Sequence, residues 1–147
     1  MSGENLLKAG ELMLKIKSDK ISIHSNALDC LEYLSNLNNY KNLFPKEKIN
    51  NWESSTEHCK FSIQNTYTLD IKKQSLETNS IYLVSAEKSP FAFKIKVEIH
   101  EKDSLNCIAQ IMCDANVNPM LKVLVGKPLN ELFNYMANNI EKAILLE

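Results

Sequence analysis

The chain has 147 residues, 44% of them hydrophobic and 24% charged, a balance typical of one globular domain. Seventeen basic residues oppose eighteen acidic ones, so the net charge is -1, and the sequence lacks the basic excess of nucleic-acid-binding proteins. All seventeen basic residues are lysines, which excludes recognition of a phosphate or carboxylate by a guanidinium group. We therefore expect no nucleic-acid partner.

The sequence contains neither a membrane span nor a recognisable disulfide framework. No stretch approaches the ~20 consecutive apolar residues of a membrane-spanning helix, and Met1 to Ile16 lacks the apolar core of a signal peptide. The cysteines Cys30, Cys59, Cys107 and Cys113 show no CxxC spacing, which favours structural thiols in a reducing compartment. These features predict a cytoplasmic protein with no membrane span.

The chain is expected to form one domain preceded by a short extension. Residues 1–12 are interpreted as the N-terminal extension, and residues 13–147 as a single domain. The sequence leaves open whether part of residues 1–12, or the terminal Leu146-Glu147, is native to the protein.

The first part of the domain is predicted to contain one strand and two short helices. The strand spans residues 14–25, with a bulge or bend at residues 17–20, where its alternation breaks. Apolar residues at helical spacing follow a capping residue, either Ser25 or Asn26. We expect a second short helix to follow and to end at Pro45.

From Ile49 to Ala115 the apolar period changes from helical to two, which is typical of strands. Polar segments such as EKSP at 87–90 and EKDS at 101–104 separate the runs, which favours an antiparallel meander with one buried face. The apolar phase of the long strands contains Phe61, Ile63, Asn65, Tyr67, Leu69, Ile71, Phe91, Phe93, Ile95, Val97, Ile99, Leu105, Cys107, Ala109, Ile111 and Cys113.

The last part of the chain predicts one long helix. Asn118 is the expected cap, Pro119 suits the first helical position, and apolar residues then recur at helical spacing over about 28 residues, or ~40 Å. Pro128 falls inside this helix and is expected to kink it. Since no strand-helix-strand repeat occurs, a parallel sheet is excluded, and the final helix is the element long enough to cover the sheet. We predict an α+β fold in which an antiparallel sheet of about six or seven strands wraps around the C-terminal helix.

Four segments also carry a family resemblance, and they cover nearly the whole domain. They are ISIHSNALDCLEYLSNLNNYKNLFP at 21–45, INNWESS at 49–55, SPFAFKIKVEI at 89–99 and NPMLKVLVGKPLNELFNYMANNIEKAI at 118–144. Together with the element order they resemble the START-like (Bet v 1-like, helix-grip) superfamily, in its SRPBCC or polyketide cyclase/dehydrase-like branch. The similarity is to a small subgroup of uncharacterised bacterial proteins, chiefly from Bacteroidetes.

The resemblance implies a cavity between the curled sheet and the long helix. In the wider superfamily such cavities hold lipids, sterols, polyketides or plant hormones, and some members are cyclases or hydrolases. The subgroup brings no catalytic motif with it, so no active-site residue is transferred. A shared fold does not choose among these functions.

The strand phase points away from acid–base catalysis, which needs ionisable groups directed into a cavity. Tyr67 and the cysteines are the ionisable residues of the apolar phase, whereas His58, His100 and Asp70 fall on the opposite phase. The histidines show neither HxxxH nor HExxH spacing, so we expect no metal and no cofactor. Tyr67 is the best candidate for a polar anchor in a cavity, and a core tyrosine is the alternative.

These observations favour a non-enzymatic domain that binds a small hydrophobic molecule, such as a lipid or a polyketide-like or aromatic compound, between sheet and helix. The predicted cavity wall consists of Phe61, Ile63, Tyr67, Leu69, Phe93, Ile95, Val97, Ile111, Leu124, Leu132 and Met136.

Two alternatives stay open. One is a cyclase or hydrolase acting on a polyketide-like substrate, which would need inward polar groups such as Asn65, Tyr67 or Ser85. The other is a protein-interaction module with a filled core, working through an outer apolar patch that includes Tyr82 and Met112. That patch is also where a homodimer contact would form, unless residues 1–12 cover it.

Overall fold

The computed structural model describes residues 12–64 and 66–146. Of the predicted extension over residues 1–12, residues 1–11 therefore lie outside the described residues, and Leu12 begins the first strand. Within these ranges the chain forms eight strands, two α-helices and one 3₁₀ helix. They are Leu12–Lys17 (β1), Ile21–Ile23 (β2), Ala27–Ser35 (α1), Leu37–Asn42 (the 3₁₀ helix), Ile49–Ser54 (β3), His58–Ile63 (β4), Tyr67–Leu76 (β5), Ser80–Ser85 (β6), Ala92–Asp103 (β7), Asn106–Val117 (β8) and Pro119–Leu145 (α2).

All the strands belong to one antiparallel sheet in the order β1-β8-β7-β6-β5-β4-β3, with β2 also paired to β8. The predicted first strand is therefore two strands, β1 and β2, which both pair with β8. A bend at residues 18–20 separates them, and the broken alternation of the sequence predicted a bend there. Ser18 fixes the bend: its N–H donates to the Ile111 carbonyl and its Oγ accepts from the Ile111 N–H, both at 2.9 Å. The α+β fold with a sheet around a C-terminal helix is confirmed.

Helix α2 covers the sheet with one apolar stripe. Asn118 caps it by accepting a 2.8 Å hydrogen bond from the Leu121 N–H, and Pro119 occupies the first turn. The buried residues follow helical spacing: Val125, Leu129, Leu132, Phe133, Met136, Ala137, Ile140 and Ala143. Pro128 lies within the continuous helix, so the sequence correctly predicted one helix over this span.

The 3₁₀ helix and strands β3 and β4 close one end of the core with aromatic rings. Trp52 stacks on Phe61 with ring centroids 5.2 Å apart, and Phe44 lies 4.4 Å from Phe61. The Trp52 indole N–H donates to Ser54 Oγ at 2.9 Å. Trp52 therefore has a packing role, with a half-buried indole against the core and its N–H satisfied.

One predicted core residue of the strands is exposed. Leu105, assigned to the apolar phase of the last strand, exposes 73% of its surface in the β7–β8 turn. Asp103 Oδ1 accepts hydrogen bonds from the Leu105 N–H at 2.9 Å and from the Asn106 side chain at 2.8 Å. This turn closure starts β8 at Asn106, one residue beyond Leu105, and corrects the predicted strand boundary.

Strand β3 is an edge of the sheet and is irregular. Its pairing with β4 shifts register between Asn50 and Glu53, and Asn51 adopts φ 57°. Asparagine tolerates this left-handed conformation better than most residues because its short side chain bonds locally. The edge strand is therefore bulged rather than straight.

Candidate functional site

Nine of the eleven residues predicted to form the cavity wall lie in the packed core. Each of these nine exposes 6% or less of its surface: Phe61, Ile63, Leu69, Phe93, Ile95, Val97, Ile111, Leu132 and Met136. A void large enough for water would leave part of its wall accessible, so these side chains pack closely against each other and their neighbours. The centre of the domain, between sheet and helix, is filled where these residues meet.

An apolar cavity of about 460 Å³ lies instead at one end of the domain, where the first half of α2 faces the β4–β5 turn. Its lining consists of Ile63, Gln64, Thr66, Tyr67, Pro90, Leu121, Leu124, Val125 and Pro128. Three predicted wall residues, Ile63, Tyr67 and Leu124, belong to this lining. The volume falls within the range of about 300–1,000 Å³ that is usual for small-molecule sites.

The prediction that Leu124 closes the interior cavity is wrong. It exposes 65% of its surface and lies at the rim of the cavity, whereas the next residue, Val125, exposes 5%. Adjacent residues on a helix point about 100° apart, and here the direction of Val125 faces the core while that of Leu124 does not. Both are apolar, and the sequence alone did not distinguish them.

The β4–β5 turn holds one side of the cavity in place. Gln64 adopts φ 47°, a conformation that costs a residue other than glycine on the order of 1 kcal/mol. Its N–H donates to the Lys48 carbonyl at 2.7 Å, and the Thr66 N–H donates to the Ile63 carbonyl at 2.8 Å. These bonds fix the turn, with Ile63 and Tyr67 paired across the strands. Asn65, predicted to be an inward polar residue, lies outside the described residues.

Tyr67 is the single ionisable side chain among the described residues that line this cavity. Its hydroxyl is buried and has no hydrogen-bond partner among the described residues. Burial raises the pKa of Tyr67 to about 12, so the phenol is protonated at neutral pH. An unsatisfied buried hydroxyl costs about 1–3 kcal/mol.

A second, more polar groove of about 360 Å³ adjoins the cavity. It shares Ile63, Gln64 and Pro128 with the cavity. The rest of its lining is Pro45, Glu47, Lys48, Glu131, Leu132 and Tyr135. The β4–β5 turn and Pro128 therefore separate an apolar compartment from one that carries charges of both signs.

The ionisable residues assigned to the outer phase lie outside the cavity lining. His24 bonds Glu141, His58 bonds Asp70, and His100 bonds Glu98. Asp70 is on the outer face as predicted, yet it exposes only 4% of its surface because the segment after β6 covers it. Within the described residues no three His, Cys, Asp or Glu side chains gather as metal ligands, and no helix is long and apolar enough to cross a membrane.

Several cavity residues were not found by sequence reasoning. Thr66, Pro90 and Leu121 come from a turn, a loop and the start of α2, which no local periodicity connects. Gln64 carries no visible signal either, since its positive φ is a property of the folded turn. Pro128 was singled out as a helix irregularity and Leu124 as a wall residue, and both lie in the lining.

Several solved structures have the same fold as this chain. A norcoclaurine synthase of Thalictrum flavum matches with a TM-score of 0.70 at 12% identity, over 95% of this chain and 98% of that one. A START superfamily protein of Mycobacterium smegmatis matches with a TM-score of 0.65 at 13% identity, over 91% of this chain and 97% of that one. A protein of Thermus thermophilus matches with a TM-score of 0.69 at 9% identity, over 90% of this chain and 97% of that one.

No family model matches the sequence, and no curated protein does. The structural matches nonetheless extend along almost the entire chain. The protein therefore has the START-like helix-grip fold, as its sequence predicted. At these identities the likeness establishes the fold, and function has to be argued from the site.

Proposed function

We propose that this domain binds a small, largely apolar molecule in the end cavity and holds it by one hydrogen bond from Tyr67. The observation that carries the proposal is Tyr67, which lines a cavity of about 460 Å³ and whose buried hydroxyl lacks a partner among the described residues. Apolar lining supplies affinity through burial, and one polar group supplies orientation. The remaining predicted wall residues act as the rigid back of this site.

The chemistry of Tyr67 favours binding over catalysis. A general acid or base works best with a pKa near the operating pH, whereas the pKa of Tyr67 is raised to about 12. At neutral pH the phenol is a hydrogen-bond donor for a carbonyl, ether or hydroxyl oxygen. A small aromatic or polyketide-like molecule with one such oxygen fits this requirement. A norcoclaurine synthase structure of the same fold contains dopamine and hydroxybenzaldehyde, which supports this class of ligand.

The first experiment measures binding of prodan, a naphthalene ketone whose emission reports the polarity around it. Wild-type protein is expected to bind it with a blue-shifted emission. Tyr67→Phe is expected to weaken binding about tenfold, the effect of one hydrogen bond of ~1.4 kcal/mol. The same variant is expected to unfold at an equal or higher urea concentration, since it removes an unsatisfied hydroxyl. A Tyr67 that serves only the fold would give the opposite pair of results.

A steric pair of variants localises the site. Leu121→Trp places an indole in the cavity lining and is expected to abolish prodan binding. Val123→Trp is the matched control on the same helix, because Val123 exposes 83% of its surface and lies outside the lining. Native mass spectrometry after incubation with host lipid extract tests the natural ligand. A protein that stays ligand-free there and does not bind prodan contradicts the proposed function.

A further inference from the structure

The outer face of the sheet carries a concentrated positive charge that the end cavity does not use. Lys15, Lys17, Lys72, Lys94 and Lys96 all project from it, since each alternates with a buried neighbour on its strand. We call these five residues the lysine face. The acidic residues paired with them are Asp114, 3.5 Å from Lys15, and Glu98, 2.9 Å from Lys96. Asp70, also on this face, is buried and paired with His58.

The lysine face departs from the charge of the chain as a whole. The chain has seventeen lysines and eighteen acidic residues. Without the five lysines of the lysine face and the two acidic residues paired with them, twelve lysines and sixteen acidic residues remain. The positive charge is therefore segregated on one surface of a protein whose net charge is -1. Such segregation steers an oppositely charged partner to that surface.

Strand pairing places the outward lysines in columns on β1, β7 and β5, with Val84 and Tyr82 on β6 and with Asp114 and Met112 on β8. Lys15 and Lys94 both pair with Asp114, and Lys17 and Lys96 both pair with Met112. On the next strand, Val84 pairs with Lys94 and with Lys72, and Tyr82 pairs with Lys96. Read across the strands in the order β1, β8, β7, β6 and β5, one row of outward side chains is therefore Lys15, Asp114, Lys94, Val84 and Lys72. The neighbouring row begins Lys17, Met112, Lys96 and Tyr82.

Tyr82 and Met112 form the apolar floor of a shallow groove. This concavity of about 310 Å³ lies between the lysine rows, and its lining also includes Asp114, which is paired with Lys15. Lys96 Nζ lies 5.8 Å from the centre of the Tyr82 ring, so the aliphatic stem of this lysine borders the floor. A partner must therefore present acidic groups to the columns at the sides and an apolar group to the floor.

The spacing of the columns selects the kind of partner. Neighbouring strands lie about 4.8 Å apart, which is close to the ~5.4 Å pitch of an α-helix. A helix lying across the strands would place successive turns over successive columns. Acidic residues at positions i, i+7 and i+14 would then meet the lysines of β1, β7 and β5. Apolar residues midway between them would meet Val84 and Tyr82 on β6, and Met112, next to Asp114, on β8.

We infer that the lysine face binds an acidic amphipathic helix of another protein, with glutamate or aspartate every second turn and an apolar residue in the turn between. A lipid bilayer is less well matched, because Tyr82, Val84 and Met112 are half-buried between lysines and do not extend into hydrocarbon. A nucleic acid is less well matched as well, because the face offers no arginine and its one tyrosine lies against Lys96. This inference is independent of the end cavity.

The test uses a fluorescent helical peptide with glutamate at i, i+7 and i+14, leucine in the intervening turns, and helix-forming neutral residues elsewhere. A peptide of the same composition in scrambled order is its control. Fluorescence anisotropy with the full chain is expected to show binding of the patterned peptide at least about tenfold tighter than that of the scrambled one. The affinity is expected to fall steeply as salt rises from about 0.05 to 0.5 M.

Variants assign the binding to this face. The double substitution K17E/K94E is expected to weaken binding about tenfold or more, while K122E/K142E, the same charge change on exposed residues of α2, changes it less than about twofold. Circular dichroism confirms that both variants are folded. Equal binding of the two peptides, equal effects of the two variants, or no binding to wild type overturns the inference. So does a stronger lysine-dependent interaction with phosphatidylserine vesicles or a single-stranded oligonucleotide.

Discussion

Asp70 shows how one buried side chain connects a strand to the segment that borders the cavity. Its Oδ1 lies 2.5 Å from His58 Nε2, and its Oδ2 accepts from the Lys88 N–H at 2.9 Å. Ser89 Oγ accepts from the Asp70 N–H at 2.9 Å and donates to the Asp70 carbonyl at 2.8 Å. These bonds fix the β6–β7 loop against β5, and the next residue of that loop, Pro90, lines the cavity.

We expect Asp70→Asn to lower the free energy of unfolding by about 1–3 kcal/mol, because two hydrogen bonds to a buried carboxylate become bonds to a neutral amide. Urea unfolding followed by circular dichroism measures the change. Asp114→Asn is the control: this carboxylate is about half exposed, and loss of its pair with Lys15 costs at most about 1 kcal/mol. Equal effects of the two substitutions would show that burial of Asp70 contributes nothing.

The sequence predicted the face on which Asp70 lies but not its burial. Alternation along β5 assigns Asp70 to the side opposite Leu69 and Ile71, and the structure agrees. The covering residues come from the loop at Lys88 and Ser89, eighteen and nineteen positions away. Periodicity reports local geometry, so a contact that a loop makes over the outer face leaves no trace in it.

Among the elements, α2 is joined by a carboxylate to His24, the residue that follows β2. Glu141 Oε2 accepts the His24 backbone N–H at 2.5 Å and lies 2.7 Å from His24 Nδ1. The backbone hydrogen bond, followed by the imidazole, holds the pKa of Glu141 below its ordinary value. A carboxyl group with a lowered pKa stabilises the fold above its unfolded-state pKa, and this stabilisation is lost as the pH falls through the folded-state value.

Glu141→Gln is therefore expected to destabilise the protein by about 1 kcal/mol at neutral pH and by progressively less as the pH falls below ~4. Urea unfolding of wild type and variant across this pH range measures the difference. Glu131→Gln, an exposed glutamate on the same helix, serves as the control and is expected to change stability by less than about 0.5 kcal/mol. A destabilisation by Glu141→Gln that is constant with pH would contradict this account.

The sequence patterns predicted the helices and strands better than they predicted the site. The cap at Asn118, the proline at position 119 and a sustained helical stripe define α2 almost to the residue. The end cavity forms where Pro90, Thr66 and Val125 approach each other from three separate elements. Packing decides whether such a place is filled or open, and the residue pattern of one element contains no information about the packing of another.

The whole molecule encloses its four thiols. Cys30, Cys59, Cys107 and Cys113 are all buried and free. Burial raises the pKa of Cys59 and of Cys113 to about 12, and it also raises the pKa values of Cys30 and Cys107. Because the thiolate is the reactive form, these cysteines should react only when the fold opens.

We expect iodoacetamide to label the native protein at least about a thousandfold more slowly than the urea-unfolded chain, because labelling then requires unfolding. Mass spectrometry over a time course counts the modified thiols. Ser55→Cys adds a thiol at an exposed turn and is expected to react at the rate of an unfolded cysteine. Rapid modification of any of the four natural cysteines in folded protein would show that the interior opens locally.

The irregular strand β3 has a consequence for how copies of this molecule meet. A straight edge strand presents a row of backbone donors and acceptors that a second chain can extend, which is how many sheets polymerise. In β3 the register shift between Asn50 and Glu53 and the left-handed Asn51 interrupt that row. Growth of the sheet from this border is thereby opposed, and association is directed to side-chain surfaces instead of to shared backbone hydrogen bonds.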